Sequence, residues 1–435
     1  MVMTNLDFNA VNDGRVVATQ LLQRAIDDCP DYGTLLIPKG NYLVGALFLK
    51  SHLTIRFETG AQLIGITAIE AYPEIQTRVA GVEVSWPAAI LNLIDVEDVQ
   101  IEGLGTIDGQ GPYWWDLYWG QDQKSGQRQL YDQRDLRWIV DYEVKRPREI
   151  LVYNAQRITI QDITLRQSGF WNLQITYCQD VHINRVTIKD SNGPSTDGID
   201  IDSSQHVLVE NCQLACGDDC IVIKSGRDGD GWRVNRPAEY IEIKNCQIYS
   251  GYGVVIGSEI SAGVRHVYIH DITFQESGCG FRMKSAASRG GIVEDVRVER
   301  LKMVNVQFPF SWLMNWHPQY NQKATVAHLS QDPATPKMWL AVAEQMPIEQ
   351  QKSQIRDIFV RDVVATLTPD YALPSRAFDL QAFPEKPMTN ITFENIQIEA
   401  AEFGKIVAVQ QLAFQNVNVS VAQENNQAND HYDNR

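Results

Sequence analysis

Three short segments hold most of the residues whose types and spacing could do chemistry. PSTDGIDIDSS contains Asp197, Asp200 and Asp202; ACGDDCIVIKSG contains Asp218, Asp219 and Lys224; GFRMKSAASRGG contains Arg282, Lys284 and Arg289. Asp197 and Asp218 are 21 residues apart. If that interval is one turn of a coiled chain, the two stack about 4.8 Å apart along its axis, so Asp197 stands beside the Asp218–Asp219 doublet. Carboxylates that close repel one another and at least one is pushed towards its protonated form. A protonated acid beside ionised bases is what glycosidic cleavage needs: one group protonates the leaving oxygen and the others activate water. Arg282 and Lys284 flank Met283 on a strand, so both face one side. Two cations there would hold a substrate carboxylate, the arginine in bidentate fashion. Lys224, Arg227 and Arg289 are read as additions to the same positive patch. Asp200 and Asp202 alternate along a strand and are assigned turn or structural roles.

The elements that must position these groups are visible as a repeat. The pattern is apolar, any, apolar, two polar residues, apolar, any, apolar. It begins at Val99, Ile158, Val181, Val207, Ile241, Val267, Val296, Ile358, Ile391 and Leu412. Several neighbouring copies start 21 to 29 residues apart, a period that marks a solenoid. Alternation with period two makes the copies strands, and the central polar pair marks a bend between two of them. Helical patterns are nearly absent between copies, which leaves an all-β, single-stranded right-handed parallel β-helix whose coils pair through backbone hydrogen bonds. Its inward sixth position reads Ile163, Val186, Cys212, Cys246, Ile272, Leu301, so these two cysteines are expected to be small buried hydrophobes. An open solenoid end needs a cap, and Val17, Leu21, Leu22, Ala25 and Ile26 fall on one face of a short N-terminal capping helix. The domain reading is one β-helix over 1–422 with inserted loops at about 113–148 and 308–352, and a disordered polar tail over 423–435. The inserted loops carry Trp114, Trp115, Trp138, Trp312, Trp316 and Trp339, aromatics suited to sugar faces. Long loops in a compact solenoid are usually functional.

Composition sets the excluded classes. The 435-residue chain carries 38 basic and 54 acidic residues, a net charge of −16. That balance argues against nucleic acid, whose phosphates call for basic stripes. No run approaches the ~18 apolar residues of a membrane-spanning helix, and no signal peptide is visible before Ala10. Seven cysteines without a CxxC pair make a disulfide framework or a zinc site unlikely, so a cytoplasmic protein with reduced thiols is expected, with no cofactor or metal.

These segments together resemble glycoside hydrolase family 28, the polygalacturonase family, over roughly residues 7 to 421. Its pattern of Asn-Thr-Asp, Gly-Asp-Asp, Gly-His-Gly and Arg-Ile-Lys is met here by Ser195-Thr196-Asp197, Gly217-Asp218-Asp219, Gly251-Tyr252-Gly253 and Arg282-Met283-Lys284. The resemblance implies a pectin-lyase-like solenoid and inverting hydrolysis of galacturonic acid linkages in an acidic pectic oligo- or polysaccharide, with Asp218 as general acid and Asp197 and Asp219 activating water. It implies Arg282 and Lys284 as ligands of the substrate carboxylate, and Tyr252, Lys224 and Trp171 are candidates beside them. The sequence departs from the family at Ser195 for asparagine, at Tyr252 for histidine, and at Gln174 where many members have histidine. Members lacking the Gly-His-Gly histidine, here Tyr252, include enzymes of rhamnogalacturonan, which is the runner-up specificity. The two long insertions favour exo action by walling one end of the groove. A calcium-dependent lyase, a non-catalytic carbohydrate-binding solenoid and a structural β-helix are the competing classes. The first would not use the three aspartates, and the others do not require them.

Overall fold

The computed structural model describes residues 2–3, 11–321 and 324–421, so the segment 423–435 lies outside the described residues. The chain forms a parallel β-helix. The first positions of the repeat pair directly from coil to coil, Val181 with Val207, Val207 with Ile241, Ile241 with Val267 and Val267 with Val296. The inward sixth-position ladder from Ile163 to Leu301 is fully buried.

The bend has a simple local cause. In all ten copies the second polar residue is left-handed, with φ between 52° at Asn416 and 98° at Gly103. Seven of the others are Asp or Asn, whose short polar side chains tolerate this region. One is Arg185, and the tenth is Arg300; each is tied to the aspartate that occupies the same corner one coil earlier. Arg185 Nε donates to Asp162 Oδ1 at 2.6 Å and Arg300 Nε to Asp271 Oδ1 at 2.8 Å. The corner thus offsets the backbone cost of an arginine in this conformation with a charge-assisted bond along the axis.

Each coil also has a third strand, which the sequence pattern does not show. These strands form a separate 11-stranded sheet from Leu47–Phe48 to Glu402–Val407. Within it, Ile175, Ile201 and Ile223 stack inward through successive pairings, and Ile256, Met283 and Trp312 continue the row. The alternate residues Gln174, Asp200, Val222, Val255, Arg282 and Ser311 form the outward row on the same strands.

Two sequence expectations shift here. The capping helix runs Thr19–Asp28 and buries Leu22, Ala25 and Ile26, but Val17 is 55% exposed. Val17 ends the strand Asp13–Val17, paired with Leu43, and so belongs to no helical face. The helix covers the sheet's first strand with side-chain bonds: Gln23 Nε2 donates to the Phe48 carbonyl and Gln23 Oε1 accepts the Phe48 N–H, both at 2.9 Å. The second insertion begins later than residue 308, because Phe308–Leu313 is a strand of the 11-stranded sheet. Trp312 accordingly points into the core, fully buried among Phe281, Phe310 and Phe393.

The insertions fold as short helices, Gly111–Trp119, Gln127–Asp132 and Val140–Glu143 in the first, Pro318–Asn321, Val326–Leu329 and Lys337–Ala343 in the second. They meet on an antiparallel hairpin, Glu74–Val79 with Val82–Pro87. Val79, Val82, Trp86, Trp138, Tyr142, Trp171 and Val342 share one apolar cluster separate from the solenoid core. Trp138 and Trp339 meet edge to face at 6.0 Å, and Trp339 Nε1 donates to Glu143 Oε1 at 2.6 Å. Segments far apart in sequence therefore build a single wall beside the outward row.

All seven cysteines are buried thiols. Burial pushes the thiols of Cys178 and Cys279 up, to about 12 and about 11. Since the thiolate is the reactive form, a colorimetric thiol reagent is expected to find no fast-reacting cysteine in the native protein and seven after denaturation. Rapid reaction of even one thiol under native conditions would contradict this packing.

Candidate active site

The carboxylates stand on turns that feed the 11-stranded sheet. Asp197 lies two residues before the strand Ile199–Asp202, and Asp218 and Asp219 lie just before Ile221–Lys224. The main-chain bonds Asn172 N–H to the Asp197 carbonyl and Gly198 N–H to the Asp219 carbonyl, each 2.9 Å, fix Asp197 and Asp219 one coil apart. The three carboxylates come within 4.8 Å of one another at their nearest oxygens. The sequence interval thus predicts the juxtaposition correctly. Gly251 allows the approach on the next coil: its φ is +79°, and a Cβ there would lie 2.4 Å from the Asp218 carbonyl oxygen.

The three differ in surroundings. Asp218 is half-buried; Asp197 and Asp219 are buried. Asp219 pairs with Lys284 at 2.6 Å and with Arg282 at 3.6 Å. Asp197 pairs with Lys224 at 3.2 Å. Asp218 accepts the Asp219 N–H at 2.9 Å and has no ion-pair partner among the described residues. Burial, then the charge of Asp219, pushes its carboxyl above the ordinary value. Burial also pushes Asp197 well up, against the pull of Lys224.

Asp200 and Asp202 depart from their assigned roles. Both are fully buried on the outward row rather than capping turns. Asp200 pairs with Lys224 at 2.6 Å and Asp202 with Arg78, from the hairpin, at 3.2 Å. Four carboxylates, Asp197, Asp200, Asp218 and Asp219, therefore share three cations, Lys224, Arg282 and Lys284. With every group ionised one negative charge is left over, so holding one proton neutralises the cluster. That proton belongs to the coupled set, and Asp218, without a cation of its own, is the member best placed to carry it.

Of the remaining candidates, Arg282 and Lys284 do face the cluster. The Arg282 guanidinium lies 4.9 Å from the Tyr252 ring centre and 5.6 Å from that of Trp316; the Lys284 ammonium lies 4.4 Å from Trp316. Tyr252 borders Asp218, its hydroxyl pushed up to about 12 by burial and by that carboxylate, so it is a protonated donor. Trp316 is the residue that sequence reasoning left among generic loop aromatics. Lys224 is buried under the Trp171 ring, 4.1 Å from its centre, with its charge committed to Asp197 and Asp200. Trp171 is 3% exposed and stacks on Phe170 at 5.0 Å, which closes it to solvent.

Arg227 and Arg289 are not part of a substrate-facing patch. Both are fully buried: Arg289 binds Asp228 at 2.8 and 2.9 Å, and Arg227 donates to the Tyr142 hydroxyl at 3.1 Å and the Tyr320 carbonyl at 3.2 Å. They brace the wall. His317 neighbours Trp316 but does not replace the family's histidine at the carboxylates; its Nδ1 accepts the Tyr320 N–H of its own loop at 3.1 Å. Gln174 is buried in the wall, accepting from Arg148 at 2.5 Å. Besides the aspartate cluster, a grouping of metal-compatible spacing among the described residues is His52, Glu97 and Asp98, where Arg157 already pairs with both acids at 2.5 and 2.7 Å.

Known proteins share both the pattern and the fold. The sequence model of glycosyl hydrolases family 28 matches residues 30–327. A Vitis vinifera protein named "Probable polygalacturonase" is 30% identical over 416 residues, covering 92% of this chain and 75% of its own length. The exo-poly-alpha-D-galacturonosidase of Dickeya chrysanthemi is 26% identical over 336 residues, with 70% of this chain and 55% of that protein covered. The crystal structure of a hyperthermoactive exopolygalacturonase from Thermotoga maritima superposes with a TM-score of 0.80 at 26% identity, over 96% of this chain and 91% of that one. On the extent of that match and on the fold, this chain belongs to glycosyl hydrolases family 28.

Proposed function

We propose that the protein hydrolyses α-linked galacturonic acid residues in pectic oligo- or polysaccharides, with inversion, from a chain end. The observation that carries this is the half-buried, cation-free Asp218 set between Asp197 and Asp219 and next to the Arg282–Lys284 pair. Asp218 protonates the leaving oxygen. Asp197 and Asp219, one coil apart, hold and deprotonate a single water between them. Arg282 and Lys284, aimed by the faces of Tyr252 and Trp316, take the uronate carboxylate. Relatives named for polygalacturonase and exopolygalacturonase activity support the substrate class.

The carboxylates are closer than the ~6.5–9.5 Å usual for inverting pairs. Here two bases share the task, and both candidate nucleophiles are tied to lysines, Asp219 to Lys284 and Asp197 to Lys224. An attacking carboxylate would have to leave that ion pair, whereas a water held between the two would not disturb it. Exo action is supported by relatives named for exo-acting enzymes and by the two insertions, whose wall with the hairpin stands beside the outward row. Tyr252 in place of the family's histidine favours a second reading, hydrolysis of rhamnogalacturonan.

The test is product analysis on oligogalacturonates and rhamnogalacturonan oligosaccharides, with early proton NMR of the new anomeric centre. Monomeric or chain-end galacturonate appearing first as the β-anomer is the expected result. Cleavage of rhamnogalacturonan alone would establish the second reading; an α-anomer would replace inversion by retention. Random internal cleavage would end the exo assignment, and an unsaturated, ultraviolet-absorbing product would show a lyase.

A further inference from the structure

Lys224 sits where a substrate ligand is expected, yet no charge of it is left for substrate. Its ammonium lies 2.6 Å from Asp200 Oδ1, 3.2 Å from Asp197 Oδ2 and 4.1 Å from the Trp171 ring centre. All three acidic and basic groups are at least nine-tenths buried, and the buried Trp171 ring covers the ammonium. Asp200 has Lys224 as its ion-pair partner, and neither of its carboxylate oxygens has a hydrogen-bond partner of good geometry. A fully buried carboxylate in that state is costly unless its charge serves a neighbour.

We propose that Lys224 and Asp200 form a positioning pair for Asp197: Lys224 favours the ionised form of Asp197 against its burial and aims it at the water, and Asp200 sets how much of the Lys224 charge Asp197 receives. The pair thereby assigns the cluster's proton to Asp218. The inference rests on the reading of Asp197 as one of the two bases. Other charges face the pair from every side. Asp218 and Asp219 face Asp197 from the next coil, and Arg146 from the end of the first insertion. Asp202 faces Asp200 along its strand, with Arg148 on the wall side, and Glu259 faces Lys224 from beyond the strand Val254–Ile256. Despite burial, Asp200 and Asp197 hold Lys224 well above its ordinary value, whereas burial lifts Asp200 to about 7 against the pull of Lys224. Lys224 is therefore a fixed cation whose charge is divided between two acids.

The test uses opposite signs. In Lys224→Met, Asp197 loses its cation. Its titration, and with it the acid limb of the pH–kcat profile, should move up by about 1–3 pH units. In Asp200→Asn, Lys224 serves Asp197 alone and one negative charge is gone, so both should move down by about one unit. KM should stay within about twofold of wild type in both variants, because neither residue touches substrate. Lys224→Arg should restore the acid limb. Carboxyl-carbon NMR of protein labelled at aspartate Cγ reads the Asp197 titration without any substrate, so it decides the inference even if oligogalacturonate proves not to be cleaved, an outcome that would sink the proposed function instead. Shifts of the same sign in the two variants, an unmoved Asp197 titration, or a Lys224→Met effect confined to KM would each overturn the pairing. If Lys224→Met does not fold, the sign in the nearly isosteric Asp200→Asn settles the matter.

Discussion

Asp218→Asn is expected to lower kcat by about 10²–10⁴-fold, the usual contribution of a general acid, while substrate still binds. The reasons are positional. Asp218 alone of the three carboxylates reaches the groove and lacks a cation, so the cluster's leftover proton falls to it. Asparagine keeps the shape and still accepts the Asp219 N–H, but it cannot give up a proton to a leaving oxygen. Burial and Asp219 raise the Asp218 carboxyl, so wild-type activity should be present below its elevated value and fall as pH rises through it. That alkaline limb should be missing from the residual activity of the variant. Initial rates over a pH series, with binding followed calorimetrically, check both parts. A variant within tenfold of wild type, or one that retains the alkaline limb, would move the acid to another residue.

The second large effect is on stability. Arg78→Met should cost about 3–5 kcal/mol, the penalty for stranding one partner of a buried ion pair. Arg78 is fully buried, its guanidinium 3.2 Å from Asp202 Oδ1, 2.8 Å from Ser203 Oγ and 5.2 Å from the Tyr177 ring centre. It pins the hairpin to the strand that also carries Asp200, so without it Asp202 keeps a buried charge with Ser203 as its near partner. The double variant Arg78→Met with Asp202→Leu should regain most of the loss, because an apolar pair of similar volume often replaces a buried ion pair without penalty. Urea unfolding of the two proteins measures this. If the double variant is as unstable as the single one, the deficit comes from Arg78's packing against Tyr177 and not from the stranded carboxylate.

What could be read beforehand follows from periodicity. The ladder from Ile163 to Leu301 was legible because inward positions repeat and outward ones stay polar. The aspartate cluster was legible because a chain interval near one coil becomes adjacency in any solenoid. The third strand of each coil was hidden: its outward row runs Gln174, Asp200, Val222, Val255, Arg282, Ser311, a series set by the site and wall, so nothing repeats. Phe308–Leu313 reads as loop in the sequence because Pro309 interrupts it and it lacks the polar pair. In the hairpin Glu74–Pro87 the strand Val82–Pro87 alternates as a coil strand does, but its partner Glu74–Val79 does not, and the two pair antiparallel. Lys224, Arg227 and Arg289 read as a patch because charge in a sequence suggests water. Their burial depends on acids and tyrosines brought in by distant segments such as Asp200, Tyr142 and Tyr320.

The distance between Asp197 and Asp219 is a main-chain repeat, set by peptide hydrogen bonds at Asn172 and Gly198 rather than by side-chain packing. The wall is built from segments spliced in elsewhere, at the hairpin and in the two helical insertions. Chemistry and selectivity are thus modular in this architecture. Whole wall segments can be exchanged between such solenoids without altering the catalytic gauge, whereas a single residue added between Asp197 and Asp219 would slip the register and turn one carboxylate away from the other.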